Sequence, residues 1–405
     1  METITGTFST ARVFSETAEQ YALAQVKAIC DNEVSANSRI CVMPDVHPGK
    51  VAPIGLTMTI GKRILPYLVG IDIGCGMTTA RISKHRGLEF KKLDTVIRER
   101  VPSGFEMQKS PHRFSDDFDF SRLECVAHVY KEKAALSLGT LGGGNHFIEI
   151  DRTDDGNNYL IIHTGSRNLG KQVAELYQAL AVDLAKGKEE LFKEQERIIT
   201  EYKAAGRRKE IQATLIELRK NFATKNPDIP ADLCHVYGKY FQEYLHDLAY
   251  CQEFARKNRE TMAKILLQRT GITGGKGFHT IHNYIDVEEK ILRKGAIAAH
   301  KGEVVLIPIN MRDGSVLAVG KGNADWNFSA PHGAGRLLSR TQAKEQLNLD
   351  EFQKTMSDVY TTSVNEFTLD ESPMAYKSLD DIIDVIDDTV DIIDVMKPVY
   401  NFKAG

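Results

Sequence analysis

A chain of 405 residues with 42% apolar and 26% charged side chains has the composition of a folded globular protein and not of a disordered one. Its net charge of −3 shows no overall basic or acidic bias, and six scattered cysteines without a C-x-x-C pair exclude a small disulfide-stapled secreted domain. The first residues lack a basic start and an apolar run, and no stretch approaches the length of a membrane helix. We therefore expect a soluble, cytoplasmic protein.

The first part of the chain alternates short strands with helices. Residues 4–14 alternate like a strand, and Ser15 is predicted to cap the helix that follows. β-Rich runs bounded by prolines predict further strands at 39–43, 54–60 and 67–71. Helices are predicted at 88–101 and 121–137, on either side of a polar surface loop at 103–120.

The second part begins with a glycine cluster in residues 138–150 that runs into a strand, and another strand is predicted at 158–163. Residues 169–268 have helical spacing, and after a flexible glycine-rich loop at 271–277 strands are predicted at 280–284, 290–293, 304–308 and 316–319. The last predicted helix spans about 377–396. No linker separates these elements. We expect one mixed α/β domain over residues 1–405, with a central β-sheet or sandwich core flanked by helices and a helical insertion at about 169–268.

The turn Gly70-Ile-Asp-Ile-Gly-Cys-Gly-Met77 places Asp72 and Cys75 three residues apart between glycines. Glycine lets the backbone approach an ion closely, so that both side chains can converge on it. A buried cysteine that only packs in a tight turn is the competing interpretation. The turn thus predicts half of a metal site if other ligands join it.

Three histidines in similar settings are the candidate partners of this turn: His146, His163 and His282, each at a glycine turn or strand end. A thiolate, a carboxylate and three imidazoles suffice for two adjacent divalent ions if the thiolate bridges them. Ligand softness alone would favour zinc. The other histidines are predicted to be ordinary surface or core residues: His47, His85, His112, His128, His235, His246, His279 and His300.

His332 precedes Gly-Ala-Gly-Arg336 and a predicted helix start. Free backbone N–H groups and the helix dipole favour a bound phosphate there and disfavour an imidazolium, so His332 is a candidate neutral nucleophile beside a phosphate. A helix-capping turn with an incidental histidine is the alternative. In the turn Met43-Pro-Asp-Val-His-Pro-Gly-Lys50, a phosphate contact from Lys50 likewise competes with a plain polar turn.

Several long motifs in one order resemble the RtcB family of RNA-splicing ligases: Met43-Pro-Asp-Val-His-Pro-Gly-Lys, Gly70-Ile-Asp-Ile-Gly-Cys-Gly-Met, Leu141-Gly-Gly-Gly-Asn-His-Phe-Ile-Glu, His163-Thr-Gly-Ser-Arg, His282-Asn283 and His332-Gly-Ala-Gly-Arg. The similarity runs from about residue 39 onward. It implies an enzyme that joins RNA ends bearing a 2′,3′-cyclic phosphate or 3′-phosphate to a 5′-hydroxyl, using GTP and manganese. RNA with such ends is the implied partner, an activating protein could take part, and no membrane is involved.

The resemblance implies roles for single residues. Two Mn²⁺ ions would be bound by Asp72, Cys75, His146, His163 and His282, with Cys75 bridging, in place of zinc. His332 would attack the α-phosphate of GTP, and the guanylyl group would then pass to the RNA 3′-phosphate before the 5′-hydroxyl displaces it. The nucleotide would contact Asn145, Phe147, Glu149, Asn283, Pro308, Asn310, Met311, Ser315, Gly333, Ala334, Gly335, Tyr376 and Lys403. RNA phosphates would contact Arg167 and Arg340, and Arg336 is either a third such group or a structural partner of a carboxylate.

The chain departs from the family at Pro308-Ile-Asn-Met-Arg312, where Pro-Gly-Ser-Met-Gly is common, and at Pro331, where serine is frequent. These differences concern nucleotide affinity more than the metal ligands and favour a branch devoted to repair of broken RNA. Two alternatives stay open beside the ligase. One is a metal-dependent cyclic phosphodiesterase without guanylylation, and the other is a catalytically silent RNA-binding protein.

Overall fold

Two large β-sheets and the helices packed on them make up the molecule. The computed structural model describes residues 2–83, 87–115, 118–227 and 229–404, except for the side chain of Lys276. In the first part of the chain the strands are β1 (Glu2–Thr5), β2 (Thr10–Val13), β3 (Ile40–His47), β4 (Ile54–Thr59), β5 (Arg63–Ile64), β6 (Gly76–Ser83), β7 (Phe147–Arg152), β8 (Asn158–Thr164) and β9 (Val236–Tyr237). The later strands are β10 (Thr273–Ile281), β11 (Asn283–Asp286), β12 (Ile291–Lys294), β13 (Ala296–Ala298), β14 (Val304–Asn310), β15 (Gly314–Gly320), β16 (Ser329–Pro331), β17 (Tyr360–Thr361) and β18 (Val390–Lys403).

The helices occupy the stretches between these strands. They are α1 (Gln20–Cys30), α2 (Pro66–Val69), α3 (Phe90–Arg100), α4 (Lys131–Leu136), α5 (Arg167–Ala185), α6 (Glu189–Ala204), α7 (Ile211–Asn221), α8 (Gly238–Thr270), α9 (Arg340–Gln346), α10 (Leu349–Thr355) and α11 (Leu379–Ile386). Among the described residues, no helix is both long enough and apolar enough to cross a bilayer. Even α8, with 33 residues, carries charged side chains along its length.

The first sheet has the strand order β1-β2-β3-β4-β12-β11, and the second has the order β10-β6-β8-β7-β18-β15-β14 with β17 beside β18. Among the described strands, neighbours in these sheets run antiparallel except β2 with β3 and β17 with β18. Strands β7 and β8 are buried over most of their length, β8 around the apolar residues 160–162 and β7 with the carboxyl residues Glu149 and Asp151 among its buried positions. The predicted mixed α/β fold with a sheet core is confirmed.

Helix α8 is the main support of the second sheet. It buries 16 of its side chains, and it packs against α3, α5 and β8. By contrast α7 buries none of its residues and α6 only Leu191 and Ile198. The stretch predicted to be helical at 169–268 is helical apart from β9 and its flanking loops, and its last helix belongs to the core of the molecule.

Most strand predictions and two helix predictions are confirmed, but several elements were assigned wrongly. The 4–14 stretch is a hairpin of β1 and β2, and Ser15 caps nothing because α1 begins at Gln20. Residues 66–69 form α2, since Pro66 suits the first turn of a helix. The predicted helix at 121–137 is a series of single 3-10 turns followed by α4. Of the glycines in 271–277, Gly271 ends α8 and the other three already belong to β10, which pairs with β6.

Two errors bear on the site. The helix predicted to start directly after His332 begins only at Arg340, so that residues 332–339 are a loop. The predicted helix at 377–396 is instead the short α11 followed by β18, a strand of 14 residues between β7 and β15. Pairing with β7 on one edge and with β15 on the other makes residues 390–403 a strand.

Candidate active site

Strand register brings four of the predicted metal ligands to one edge of the second sheet. Cys75 directly precedes β6, and His146 directly precedes β7. His163 lies near the end of β8, opposite both Met77 of β6 and Phe147 of β7. His282 follows β10, whose last residue pairs with Gly76. Because neighbouring strands are antiparallel, the start of one lies beside the end of the next, and these side chains meet.

The cluster of Asp72, Cys75, His146, His163 and His282, here called the Cys–His cluster, is connected by short contacts. Cys75 Sγ lies 3.3 Å from His163 Nε2 and 3.5 Å from His146 Nε2. His146 Nε2 lies 2.9 Å from Asp72 Oδ2, and His163 Nε2 lies 3.3 Å from His282 Nε2. Cys75 and the three histidines are at most 4% exposed. One thiol, one carboxylate and three ring nitrogens thus face one small volume.

The hydrogen bonds of the ring nitrogens suit metal ligation. His146 Nδ1 lies 2.9 Å from the carbonyl of Leu141, and His163 Nδ1 lies 3.1 Å from that of Asn145. Each Nδ1–H can donate to its carbonyl, so that Nε2 is the nitrogen that faces the cluster. Burial lowers the pKa of His163 and His282 well below the ordinary histidine value and keeps both rings neutral.

The acidic members of the cluster also suit a cation. Burial raises the pKa of Asp72, but the hydrogen bond and charge of His146 outweigh it and hold that pKa below its ordinary value. Burial and the neighbouring Asp72 raise the pKa of the Cys75 thiol well above its ordinary value. A divalent ion would reverse this effect, because metal coordination stabilises the thiolate. The ligand atoms of Cys75, His146 and His163 all lie within 4.8 Å of one another. This donor set therefore fits a divalent metal.

Two buried cations and an amide behind the cluster fix its backbone, and the sequence analysis missed them. Arg259 Nη1 donates to the carbonyls of Gly74 and Thr164, each over 2.8 Å. Asn258 Oδ1 accepts from the backbone of Gly139 and Thr140. Lys294 Nζ donates to the carbonyl of Val69 over 3.0 Å. Their only sequence signal is a charged or polar residue at an apolar helix or strand position.

His332 lies beside the Cys–His cluster, with its ring centroid 4.9 Å from that of His282. Its Nδ1 is 2.7 Å from Oδ2 of Asp45, whose side chain is fully buried. Gly335 has φ +75°, and a Cβ there would come within 2.9 Å of the Asp45 carbonyl, so glycine lets the loop close over Asp45. Asp45 stands in the Met43–Lys50 motif, but sequence reasoning singled out only its neighbours.

A cavity of about 420 Å³ opens in front of His332, His163 and His282. Of the residues predicted to bind the nucleotide, the structure places in its wall Asn145, Phe147, Glu149, Pro308, Asn310, Met311, Gly333, Ala334, Gly335, Tyr376 and Lys403. It does not place Asn283 or Ser315 there. Asn283 Oδ1 accepts from the backbone of Gly295 instead, and Ser315 is fully buried in β15. His47, predicted to be an ordinary residue, lines the cavity, as does Asn401.

Glu371 organises one side of this cavity. Its carboxylate accepts hydrogen bonds from Lys403 Nζ and from Tyr376 Oη, the latter over 2.7 Å. The same group lies 2.7 Å from Arg340 Nη1 and 3.3 Å from Arg336 Nη1. Burial opposes ionisation of Glu371, but Lys403, Arg340 and the hydrogen bond from Tyr376 outweigh it and lower the pKa of its carboxyl. Sequence reasoning missed Glu371 because nothing local marks it.

Glu149 and Asp151 point from the same face of β7 and are both buried. Burial raises the pKa of Glu149 to about 7 and that of Asp151 well above its ordinary value. Asn401, which pairs with Glu149 across β7 and β18, donates its side-chain amide to the Glu149 carboxyl. Neither oxygen of Asp151 has another hydrogen-bond partner among the described residues. Burial therefore favours the protonated form of at least one of the two carboxyl groups near neutral pH.

The residues predicted to contact RNA lie in different settings. Lys50 is exposed and its Nζ stands 5.3 Å from the centre of the Tyr67 ring. Arg167, at φ +53°, is mostly enclosed and donates to Thr140 Oγ1 and the Gly104 carbonyl, each over 3.2 Å. Arg336 and Arg340 line the cavity and are paired with Glu371, and Arg340 also contacts Asp370 over 2.5 Å. For Arg336 this is the carboxylate pairing that was one of its two predicted roles.

Comparison with known proteins agrees with this geometry. The family model described as tRNA-splicing ligase RtcB matches residues 25–123 and 115–404. The chain belongs to the RtcB family. It is 29% identical over 403 residues to the RNA-splicing ligase RtcB of Escherichia coli K12, covering 90% of each chain. It is 26% identical to the tRNA-splicing ligases RtcB of Nanoarchaeum equitans, over 85% of this chain and 83% of that one, and of Thermococcus kodakarensis, with the same coverage.

The departure from the RtcB pattern at Pro308–Arg312 forms a self-contained turn between β14 and β15. Asn310 Oδ1 accepts from the backbone N–H groups of Arg312 and Asp313, each over 3.0 Å. The guanidinium of Arg312 pairs with the Asp313 carboxylate over 2.7 Å. The side chains of Asn310 and Arg312 thus both bind within this turn, to the backbone and to Asp313. These contacts hold Asn310 in place where it lines the cavity.

Proposed function

We propose that this chain is an RNA ligase that joins a 3′-phosphate or 2′,3′-cyclic phosphate end to a 5′-hydroxyl end, with GTP and Mn²⁺. The observation that carries the proposal is the contact of the His332 ring with His282, which joins a candidate nucleophile to the Cys–His cluster in one cavity. Membership of the RtcB family supports the RNA ligase, and the donor set supports a divalent metal.

Asp72, Cys75, His146, His163 and His282 would hold the metal. A divalent ion bound there would neutralise phosphate charge and polarise the phosphorus. The chain itself contributes a buried cluster in which the lowered pKa values keep the rings of His163 and His282 neutral, so that no proton has to be displaced from these two rings before a ligand bond forms. Arg259 and Lys294 behind the cluster stabilise the negative charge of the thiolate and of Asp72.

His332 would act as the nucleophile. Its Nδ1–H donates to Asp45, so the lone pair lies on Nε2. Nε2 attacks the α-phosphorus of GTP, and the new P–N bond forms as the bond to pyrophosphate breaks. An oxygen of the RNA 3′-phosphate then displaces His332 and takes the guanylyl group. The 5′-hydroxyl attacks the activated RNA phosphate, loses its proton, and expels GMP. A cyclic end must first be opened by water.

The far wall of the cavity would select the base. Glu149 accepts hydrogen bonds from the base edge, and Asn401 orients its carboxyl. Lys403, held by Glu371, and Tyr376 complete the wall. A guanine edge presents two adjacent N–H donors, which an ionised Glu149 carboxylate can accept beside the amide of Asn401, and burial makes that ionisation depend on pH near 7.

Incubation with α-phosphate-labelled GTP and Mn²⁺ tests the proposal. The wild-type chain should become covalently labelled, and His332→Ala should not. His128→Ala is the matched control, because His128 is exposed on a surface turn, and it should be labelled like wild type. Covalent labelling of His332→Ala would show that His332 is not the nucleophile. A wild-type chain that opens cyclic phosphates to 3′-phosphates without GTP would instead support the phosphodiesterase.

A further inference from the structure

Phe105 stands fully exposed at the tip of a tight turn. Its relative exposure of 102% is the highest among the large apolar side chains of the described residues. The turn spans Ser103 to Glu106 and is closed by a hydrogen bond of 3.0 Å from the Glu106 N–H to the Ser103 carbonyl. A single exposed apolar side chain is common, so its meaning depends on what surrounds it.

The turn is fixed to the glycine loop that precedes β7. The Gly104 N–H donates to the Gly142 carbonyl over 3.0 Å, and the Leu141 N–H donates to Pro102 over 2.9 Å. From the other side Arg167 Nη2 donates to the Gly104 carbonyl. The Arg167 guanidinium lies so close over Gly142 that no side chain fits between them. The Phe105 ring is therefore carried on a rigid backbone.

The same glycine loop leads straight to the Cys–His cluster. His146 follows Gly142 by four residues, a distance of at most about 14 Å along the chain. The Leu141 carbonyl beside the turn accepts from His146 Nδ1. A Cβ on Gly144 would lie 3.7 Å from Arg340 Nη2, so a guanidinium of the cavity rim flanks the loop as well. Phe105 thus stands near the cavity, outside its wall.

Positive charge continues from the turn along residues 102–115. This segment holds Lys109 and Arg113 against a single carboxylate, Glu106. At its end the Phe114 ring has the charged groups of three residues within 5.6 Å of its centre: Arg113, Lys257 and Lys264. Cations grouped around aromatic rings attract a polyanion, and they are the usual surface of single-strand binding sites.

We propose that Phe105 is a stacking platform for an unpaired base of the RNA strand whose 3′ end enters the cavity. The inference rests on the proposed function for the identity of the strand. A rigid phenyl ring offers a face for a base, and every base can stack on it without regard to sequence. Arg167 acts through the Gly104 carbonyl as a positioning residue for this platform, in addition to its charge.

Fluorescence of 2-aminopurine tests the proposal. We would place this base in turn at each of the last few positions of a single-stranded RNA with a 3′-phosphate, and titrate it with wild type, Phe105→Ala and Phe105→Trp. Wild type should quench the fluorescence most strongly at one position. Phe105→Ala should lose that quenching and bind the RNA about 5- to 100-fold more weakly, and Phe105→Trp should restore both.

Phe8→Ala is the matched control, because Phe8 is also an exposed phenylalanine. It lies away from the cavity: its backbone N–H donates to the carbonyl of Cys30 at the C-terminal end of α1, whereas Glu19, which lines the cavity, precedes the N-terminal end of that helix. It should bind RNA like wild type. The proposal would be overturned if wild type and Phe105→Ala bound and quenched the RNA equally, or if wild type quenched the fluorescence at no position. The exposed ring would then be a contact for another protein. Labelling of wild type by GTP needs no RNA, so it reports separately on the proposed function.

Discussion

Asp45 holds His332 by a 2.7 Å contact between Oδ2 and Nδ1, and its side chain is completely buried while that of His332 faces the cavity. The contact fixes the ring orientation and the tautomer together. It also joins β3 of the first sheet to the loop after β16, so that the candidate nucleophile is positioned by a residue nearly 290 positions away.

Replacing Asp45 with asparagine should therefore abolish most labelling by GTP. The amide can donate to Nδ1, which would move the proton to Nε2 and remove the nucleophilic lone pair. We expect the labelling rate to fall by about 10²- to 10⁴-fold with the fold intact. The rate of covalent labelling measures it, and Asp155→Asn in the exposed β7–β8 turn is the control. A rate within threefold of wild type would show that Asp45 does not set the tautomer.

Replacing Cys75 with alanine should remove the proposed metal. The thiol contacts two of the three histidines, so its loss opens the centre of the cluster. We expect Mn²⁺ affinity to fall by about 100-fold or more, judged by titration of free Mn²⁺ with electron paramagnetic resonance. Mn²⁺ should also raise the unfolding midpoint of wild type and not that of the variant. Cys234→Ala, at a buried cysteine in the helical stretch, should behave like wild type, and unchanged Mn²⁺ binding by Cys75→Ala would contradict the assignment.

Replacing Glu371 with glutamine should destabilise the protein by about 3–5 kcal/mol at pH 7, because three cationic groups lose their shared carboxylate. The pKa of Glu371 is lowered in the folded state, so its stabilising effect is present above the ordinary glutamate pKa and is lost as the pH falls through the folded value. The difference from wild type should stay constant above the ordinary glutamate pKa and shrink only as the pH falls below it. Denaturant unfolding measures it, with the exposed Glu345→Gln as control. A difference independent of pH would argue against an ionised Glu371.

Replacing Asp151 with asparagine should stabilise the protein at high pH. Burial raises the pKa values of Glu149 and Asp151, so the folded state keeps a proton that the unfolded state has lost, and stability falls as the pH rises from the ordinary carboxyl range toward 7. The variant should gain about 1–2 kcal/mol over wild type between pH 5 and pH 8. Denaturant unfolding at both values tests this against the exposed Asp154→Asn. If Asp151→Asn changed the stability equally at both pH values, the folded wild type would not retain a proton on Glu149 or Asp151.

The cluster ligands could be found from sequence because each lies at a local signal, a glycine turn or a strand end. The antiparallel register of the strands then brings these positions together. His163 lies on β8, whose central residues are apolar, and the other ligands lie in the turns and strand ends beside β6, β7 and β10. Asp45, Glu371 and Arg259 could not be found in this way. Their roles arise from contacts between distant segments, and the sequence around each of them looks like an ordinary turn or helix.

Two secondary-structure errors have a common physical origin. Residues 377–396 contain aspartates between branched apolar residues in a spacing that fits a helix up to Ile386, and only pairing with β7 and β15 makes the remainder a strand. His332 is followed by glycines that resemble a helix start, but contact of Gly335 with Asp45 keeps that segment a loop. In both cases tertiary contacts decided between local alternatives.

β18 is the only connection between β7 and β15 in the second sheet as far as the structure describes it, and it supplies Asn401 and Lys403 to the cavity. The ribosome synthesises β7 some 240 residues before β18. During synthesis the second sheet therefore stays open at its middle, and the edges of β7 and β15 that pair with β18 remain unpaired. The cavity comes into being with the last strand to emerge. Any nascent or prematurely stopped product that lacks this strand also lacks the part of the cavity wall that Asn401 and Lys403 form, and its unpaired β7 and β15 edges favour aggregation.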